Sequence, residues 1–252
     1  MSESEAIGEH WCIVGGGVLG LVLAKRLVEA GERVTVLEAT PEIGGLASAW
    51  NLGDFTWDRH YHVTLLSDQS TRDLLRELEL EDQMRWVETK TGFFADGKLV
   101  SLSNNWEFLR FPLLSLWEKF RLGVTIFAAS KIRDWQSLES IPVADWLRKW
   151  SGIGTFRKIW QPLLRAKLGA TYEKVSAVFI AATIARMYRA RQSGLKKEMF
   201  GYLPGGYARV FKAFAARLVD HGVQIECNRA VKQIIVEGGQ TVGVEFADGN
   251  RR

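Results

Sequence analysis

The stretch CIVGGGVLGL, residues 12–21, sets Gly15, Gly17 and Gly20 in a G-x-G-x-x-G spacing, and Glu38 follows 18 residues after the last of them. Each member has its own physical task. The first glycine permits a tight turn, the second lets backbone approach a diphosphate, and the third lets a helix lie close against a strand. At the start of that helix, unpaired N–H groups and the positive end of the dipole attract phosphate. The Glu38 carboxylate can accept hydrogen bonds from ribose hydroxyls, and its charge argues against a 2′-phosphate, hence against NADP. These residues fit dinucleotide binding; the competing reading is a purely structural strand–helix turn.

A second group with chemical potential is Asp58, His60 and His62, which holds two of the four histidines in the chain. On a strand the two imidazoles would share a face, as metal ligands can. No cysteine or second histidine pair completes a donor set, so no metal site is expected. The readings left open are a structural role in positioning the loop and contact with cofactor or substrate, where a histidine base would suit neutral pH. Tyr61, Tyr202 and Tyr207 are further candidates beside turns, with packing as their ordinary role. Cys12 and Cys227 fit neither a metal spacing nor a C-x-x-C motif. Cys12, in an apolar run, is expected to be buried in a strand, and nothing calls for an oxidising compartment.

The elements that must position these residues are legible from periodicity. HWCIV reads as a strand closed by glycines. VLGLVLAKRLVEAG reads as a helix with Leu19, Val22, Leu23 and Leu27 at helical spacing, and RVTVLEA as a second strand. Strand, helix and strand within about thirty residues make a βαβ unit with a parallel pair. Further on, SDQSTRDLLRELEL reads as a capped helix, and FFADGKLV as a hairpin turning at Asp96-Gly97. Helices dominate from about Arg110 to Phe200. In SIPVADWLRKW, Ser140 is the expected cap, with Val143, Trp146, Leu147 and Trp150 on one face. After YLPGGY the α/β pattern returns as a helix ending at Gly222, the strand VQIECN and a β-meander turning at Gly238-Gly239.

The net charge of +4 conceals an asymmetry. Residues 110–200 carry 17 Lys and Arg against six Asp and Glu, so the middle is basic between acidic flanks. That distribution suits something anionic. Within it, FPLLSLWEKFRLGVTIFAASKIR mixes Leu, Trp and Phe with Lys119, Arg121, Lys131 and Arg133. Such a surface fits an anionic membrane, internal packing or another anionic partner; no motif for nucleic acid is present. The acidic start MSESEAIGEHW lacks the basic region of a signal peptide. No run reaches the roughly 18 uncharged apolar residues of a membrane span. The expected location is cytoplasmic, with peripheral membrane contact left open.

Beyond these local readings, the chain resembles the superfamily of flavin-containing amine oxidases, protoporphyrinogen oxidases and phytoene desaturases. The resemblance is carried by VGGGVLGL, VLEA and IGGLAS, by FTWDRHYH, and by GYLPGGYARVFKAFAARLVDHGVQIECNRAVKQI, in that order across nearly the whole chain. It implies FAD as the cofactor. The first block would bind the ADP half, Gly44-Gly45 would approach the diphosphate, and Val231 would present its backbone to the adenine. The implied cofactor-binding set is Gly15, Gly17, Val18, Leu19, Gly20, Glu38, Ala39, Gly44, Gly45, Leu46 and Val231. Two departures stand out. Leu46 occupies a position where many members have arginine, and His60 one where many have glycine.

The expected fold is α/β: a Rossmann-like FAD-binding domain, discontinuous and C-terminally incomplete, with an inserted, mainly helical substrate domain. Its segments would be residues 1–62 and 201–252, around a substrate or membrane-facing domain at 63–200. The resemblance implies an FAD-dependent oxidoreductase, or its N-terminal portion, moving a hydride from a C–H or C–N bond of an apolar or amine-type small molecule to flavin N5. A non-redox FAD-dependent isomerase or mutase, and a non-catalytic nucleotide- or membrane-binding module, are the competing readings. Catalytic residues stay unassigned beyond the candidates His60, His62 and Tyr202. An incomplete fold would also invite self-association or a partner over the uncovered part.

Overall fold

The structure is a computed structural model describing residues 9–60, 62–90, 92–95, 97–102, 105–192 and 199–252. The strands in chain order are β1 His10–Val14, β2 Arg33–Leu37, β3 Ala49–Leu52, β4 Phe55–Asp58, β5 Thr64–Leu65, β6 Arg85–Glu88, β7 Gly92–Ala95, β8 Lys98–Ser101, β9 Met199–Tyr202, β10 Gln224–Glu226, β11 Val231–Glu237 and β12 Gln240–Phe246. The α-helices are α1 Val18–Glu29, α2 Gln69–Glu77, α3 Asn105–Arg110, α4 Leu116–Lys131, α5 Gln136–Glu139, α6 Val143–Ser151, α7 Ile153–Thr155, α8 Gln161–Leu168, α9 Ala177–Gln192 and α10 Gly206–Asp220. They group into two compact units. One holds the chain up to Val63, Ser70–Arg85 and Tyr202–Arg252; the other holds Thr64–Gln69 and Trp86–Gly201.

The first unit is built on a parallel sheet in the order β1-β2-β10, so the returning segment does rejoin the first βαβ unit. One face of this sheet, with Ile13, Val34 and Val36, packs against Leu21 and Ala24 of α1 and Phe211, Phe214 and Leu218 of α10. Of the four apolar residues expected on the buried side of α1, Val22 and Leu27 pack against this core, whereas Leu19 and Leu23 do not. Leu19 is 83% exposed and Leu23 also points outward, while Leu21 and Ala24 are fully buried. The contact is made by the face carrying Gly20, Leu21 and Ala24, where two small residues allow a close approach to the strands.

Cys12 corrects another expectation. It is exposed, because His10, Cys12 and Val14 alternate onto the opposite sheet face while only Ile13 of β1 is buried. Residues 70–85 also differ from the expected boundaries. In α2, Leu75 joins Leu80 and Val210 in one apolar cluster, with Leu203 and Tyr207 against it, which places that helix in the first unit. The β11–β12 pair is an antiparallel hairpin. Gly238 and Gly239 both have positive φ at its turn, as a tight hairpin requires.

The second unit is mainly helical. Its core joins Leu122 and Ala129 of α4, Val143, Trp146 and Leu147 of α6, and Ile180 and Ala181 of α9. Ser140 does not cap α6; Pro142 occupies the N-cap position, with extended backbone. Ser115 caps α4 instead, through a reciprocal capping box with Glu118. The unit also holds the sheet β5-β9-β6 and the hairpin β7–β8. Gly97 of that hairpin's turn has φ +74°, while Asp96 lies outside the described residues, as do Tyr61 and the first eight residues. Among the described residues, no helix is long and apolar enough to cross a membrane.

Candidate functional site

The turn after β1 and the turn after β2 meet. The Gly44 N–H donates to the Gly16 carbonyl at 2.8 Å, and Gly17 and Gly44 form a parallel bridge. Two of these glycines are sterically required. A Cβ at Gly20 would lie 2.1 Å from the Gly15 carbonyl oxygen, so any side chain there would force α1 off the strand. At Gly44, φ is +122° and a Cβ would crowd Phe211 and Ser48 at 3.2 Å. The result is a paired backbone cradle at the start of α1. Gly17, the N-cap residue, makes no side-chain cap, and the first turn carries no acid, so the helix offers its N–H groups outward.

Glu38 closes the cradle on the other side. Its Oε2 accepts from the Gly16 N–H at 2.7 Å, and its Oε1 accepts from the Thr40 N–H at 2.8 Å and the Thr40 hydroxyl at 2.7 Å. Burial pushes this carboxyl up, but the Thr40, Gly16 and Ala39 donors outweigh burial and hold it below the usual range. The carboxylate is thus a fixed negative charge. The returning segment is stitched to the same turn: Glu38 N–H donates to the Glu226 carbonyl, Arg229 N–H to the Glu38 carbonyl, and Asn228 N–H to the Thr40 carbonyl. That brings β11 to the cradle, with Val231 packed beside Leu37, Val244 and Phe246.

Of the cofactor-binding residues expected from sequence, Gly15, Gly17, Gly20, Glu38, Gly44 and Gly45 come together in this cradle. Val18, Leu19, Ala39 and Leu46 line its exposed margin, Leu46 at 77% exposure. Sequence reasoning missed Thr40 and Gly16, the donors that fix Glu38. A hydroxyl two residues after the acid in EAT was the available signal.

The histidine cluster is not a strand face, since β4 ends at Asp58. The Asp58 Oδ1 accepts from the Tyr207 N–H at 3.1 Å, so Asp58 acts at the start of α10. A Cβ at Gly206, beside it, would approach the same oxygen to 2.8 Å. The His62 ring lies 5.1 Å from that of Tyr207, its Nδ1 buried and without a hydrogen-bond partner among the described residues. His60 is exposed, and Tyr202 is exposed at the end of β9. Among the described residues no group of three or more His, Cys, Asp or Glu could hold a metal ion.

A cradle of paired glycine turns, an open helix start and a fixed carboxylate fits a dinucleotide diphosphate with its adjoining ribose. The family model for flavin containing amine oxidoreductase matches residues 20–252. The chain belongs to the flavin-containing amine oxidoreductase family. As the family is flavin-containing, the dinucleotide is FAD. The curated relatives of this family member include the probable zeta-carotene desaturase of Synechococcus elongatus, 24% identical over 94% of this chain and 54% of that protein. The 15-cis-phytoene desaturase of Solanum lycopersicum is also 24% identical, over 94% of this chain and 44% of that protein. The chain thus spans about half the length of these relatives. Among solved structures, an oxidoreductase from Methanosarcina mazei shares the fold, with a TM-score of 0.70 and 20% identity over 95% of this chain and 56% of that one.

Proposed function

We propose that this chain forms the FAD-binding end of an oxidoreductase acting on an apolar small molecule. The observation that carries the reading is the cradle itself: two glycine turns joined by the Gly44-to-Gly16 bond, with Glu38 held ionised beside them. FAD held there would supply a two-electron acceptor for the hydride of a substrate C–H bond, the adjacent carbon or nitrogen losing a proton so that a C=C or C=N bond forms. The chain's own residues bind and orient. The N–H groups at the start of α1 and the Gly44-Gly45 turn hold the diphosphate, Glu38 accepts from the ribose, and the backbone at Val231 flanks the adenine. Asp58 fixes the start of α10, and the packed His62–Tyr207 pair sets the shape of the adjoining turn. The two carotenoid desaturases among the relatives favour a C–H bond of a polyene-like substrate over an amine.

The test begins with cofactor binding. Purified with FAD, the chain should be yellow, and added FAD, but not NADP, should raise its melting temperature. A hundredfold excess over Kd corresponds to about 2.7 kcal/mol. A colourless protein with no shift overturns the reading. The reaction is then tested on the chain extended to its relatives' length. Anaerobic flavin bleaching with net oxidation of a polyene supports it, and isomerisation without net oxidation replaces it with the non-redox reading.

A further inference from the structure

A pocket of about 460 Å³ lies within the first unit, between α10, the β3–β4 hairpin, the loop at Pro41, Glu42 and Ile43, and the end of β10. Its size suits a small molecule. The residues that surround it explain how it arises. Ala208, Lys212, Ala215 and Val219 recur along one face of α10, and the two alanines leave space that larger side chains would fill. In the hairpin, Asn51 pairs with Thr56 on the face that lines the pocket. Trp50, Leu52, Phe55 and Trp57 alternate onto the other face and are exposed, so the hairpin turns its polar side inward. The inner wall is fixed, because its residues also back the glycine turns. A Cβ at Gly44 would crowd Phe211 and Ser48, and one at Gly16 would meet Ile43 at 2.9 Å. The pocket shares this wall with the cradle, but neither Glu38 nor any of the cradle's glycines lines it.

The polar groups with bonds to spare select the ligand. Thr56 donates its hydroxyl to Asn51 Oδ1 at 3.2 Å, which leaves both N–H groups of the Asn51 amide without a partner among the described residues. Lys212 makes no ion pair among the same residues. Ser48 is 8% exposed, and its hydroxyl also lacks a hydrogen-bond partner there. Three side chains with donors to offer stand against one acid, Glu42, so the hairpin and helix side of the pocket suits an anion. Glu42 sets the direction. Burial, and then the charges of Glu38 and Glu42, push the Cys227 thiol up, so the Cys227 end is negative. That end repels a carboxylate and leaves Ile43, Phe211 and Ile225 for an apolar body.

We propose that this pocket binds a small apolar monocarboxylate, its hydrocarbon body against Phe211, Ile43 and Ile225 and its carboxylate held by the Lys212 ammonium and the Asn51 amide. The proposal is independent of the cofactor reading.

The test is a ligand-observed NMR titration of the 252-residue chain at pH 7 with octanoate, and with 1-octanol and octylamine as probes of the same length. Octanoate should bind saturably and about tenfold or more tighter than either, as a charge-assisted hydrogen bond allows. Its binding should weaken with salt, since Lys212 is exposed. Lys212→Gln should cost about tenfold or more and remove the preference over octanol. Ala215→Leu sets a larger side chain in the pocket and should abolish binding, while circular dichroism shows that the fold is kept. Lys167→Gln, at an exposed cation of the second unit, should change nothing. Absence of saturable octanoate binding overturns the proposal, as does equal binding by Lys212→Gln or by the folded Ala215→Leu variant. Octanol binding as well as octanoate also overturns it. Tighter binding of octylamine than of octanoate overturns it in favour of an amine on Glu42.

Discussion

Glu38 shows how much one residue's setting adds to its type. Its position after β2 marks it as a ribose acceptor, but the three bonds it takes from Gly16 and Thr40 also make it a lock on the turn. Because its folded carboxyl lies below the unfolded value, the stability it contributes is present above the ordinary glutamate range of about 4.3 and is lost as pH falls through the folded value. Urea denaturation from about pH 6 downward should therefore show a steeper loss for the natural chain than for Glu38→Gln, and equal slopes would remove Glu38 from this role. Gly20 carries the steric half of the site. Gly20→Ala puts a methyl group 2.1 Å from a backbone oxygen. It should cost about 1–3 kcal/mol and abolish the FAD-induced rise in melting temperature. At this scale the glycines and the acid were legible because they must be those residue types. The donors to Glu38 were not, since threonine after a strand has many ordinary uses.

Among elements, α1 separates what periodicity reports from what packing selects. Leu19, Leu21, Leu23 and Leu27 cover more than one side of the helix, so apolar spacing alone does not choose the buried stripe. The choice falls to Gly20 and Ala24, whose small size lets the helix lie close to β1 and β2. Leu21→Ala should accordingly cost about 2–5 kcal/mol, while Leu19→Ala, at an exposed site, should stay within about 0.5 kcal/mol. Thermal melts of the two variants check the pair. The α10 helix makes the complementary point. Its start at Gly206 has no cap in its own sequence, and the acceptor arrives from Asp58, far away in the chain. Asp58→Ala should lower stability by about 1 kcal/mol, with the loss seen in the same melts. Local sequence rules cannot see such a cap, which is why Asp58 read only as a neighbour of two histidines.

For the whole molecule, the alternation of α/β and helical patterns made the interrupted architecture readable. The assignment of residues 70–85 was hidden, because α2 finds its apolar partners on α10, more than a hundred residues later. The same non-local logic governs the open side of the sheet. Among the described residues β1 pairs only with β2, so its other edge offers unpaired backbone groups. Natural edges are usually blunted by lysine, proline or a bulge, and β1, reading HWCIV, has neither lysine nor proline. Trp11 and Val14 are also about half exposed. The edge is therefore competent to recruit a further strand, from other polypeptide or from a second copy. Sedimentation velocity of the purified chain should show association that grows with concentration. Trp11→Lys, which places a charge beside that edge without touching the buried Ile13, should shift the population toward monomer. Association unchanged by this substitution would place the contact elsewhere.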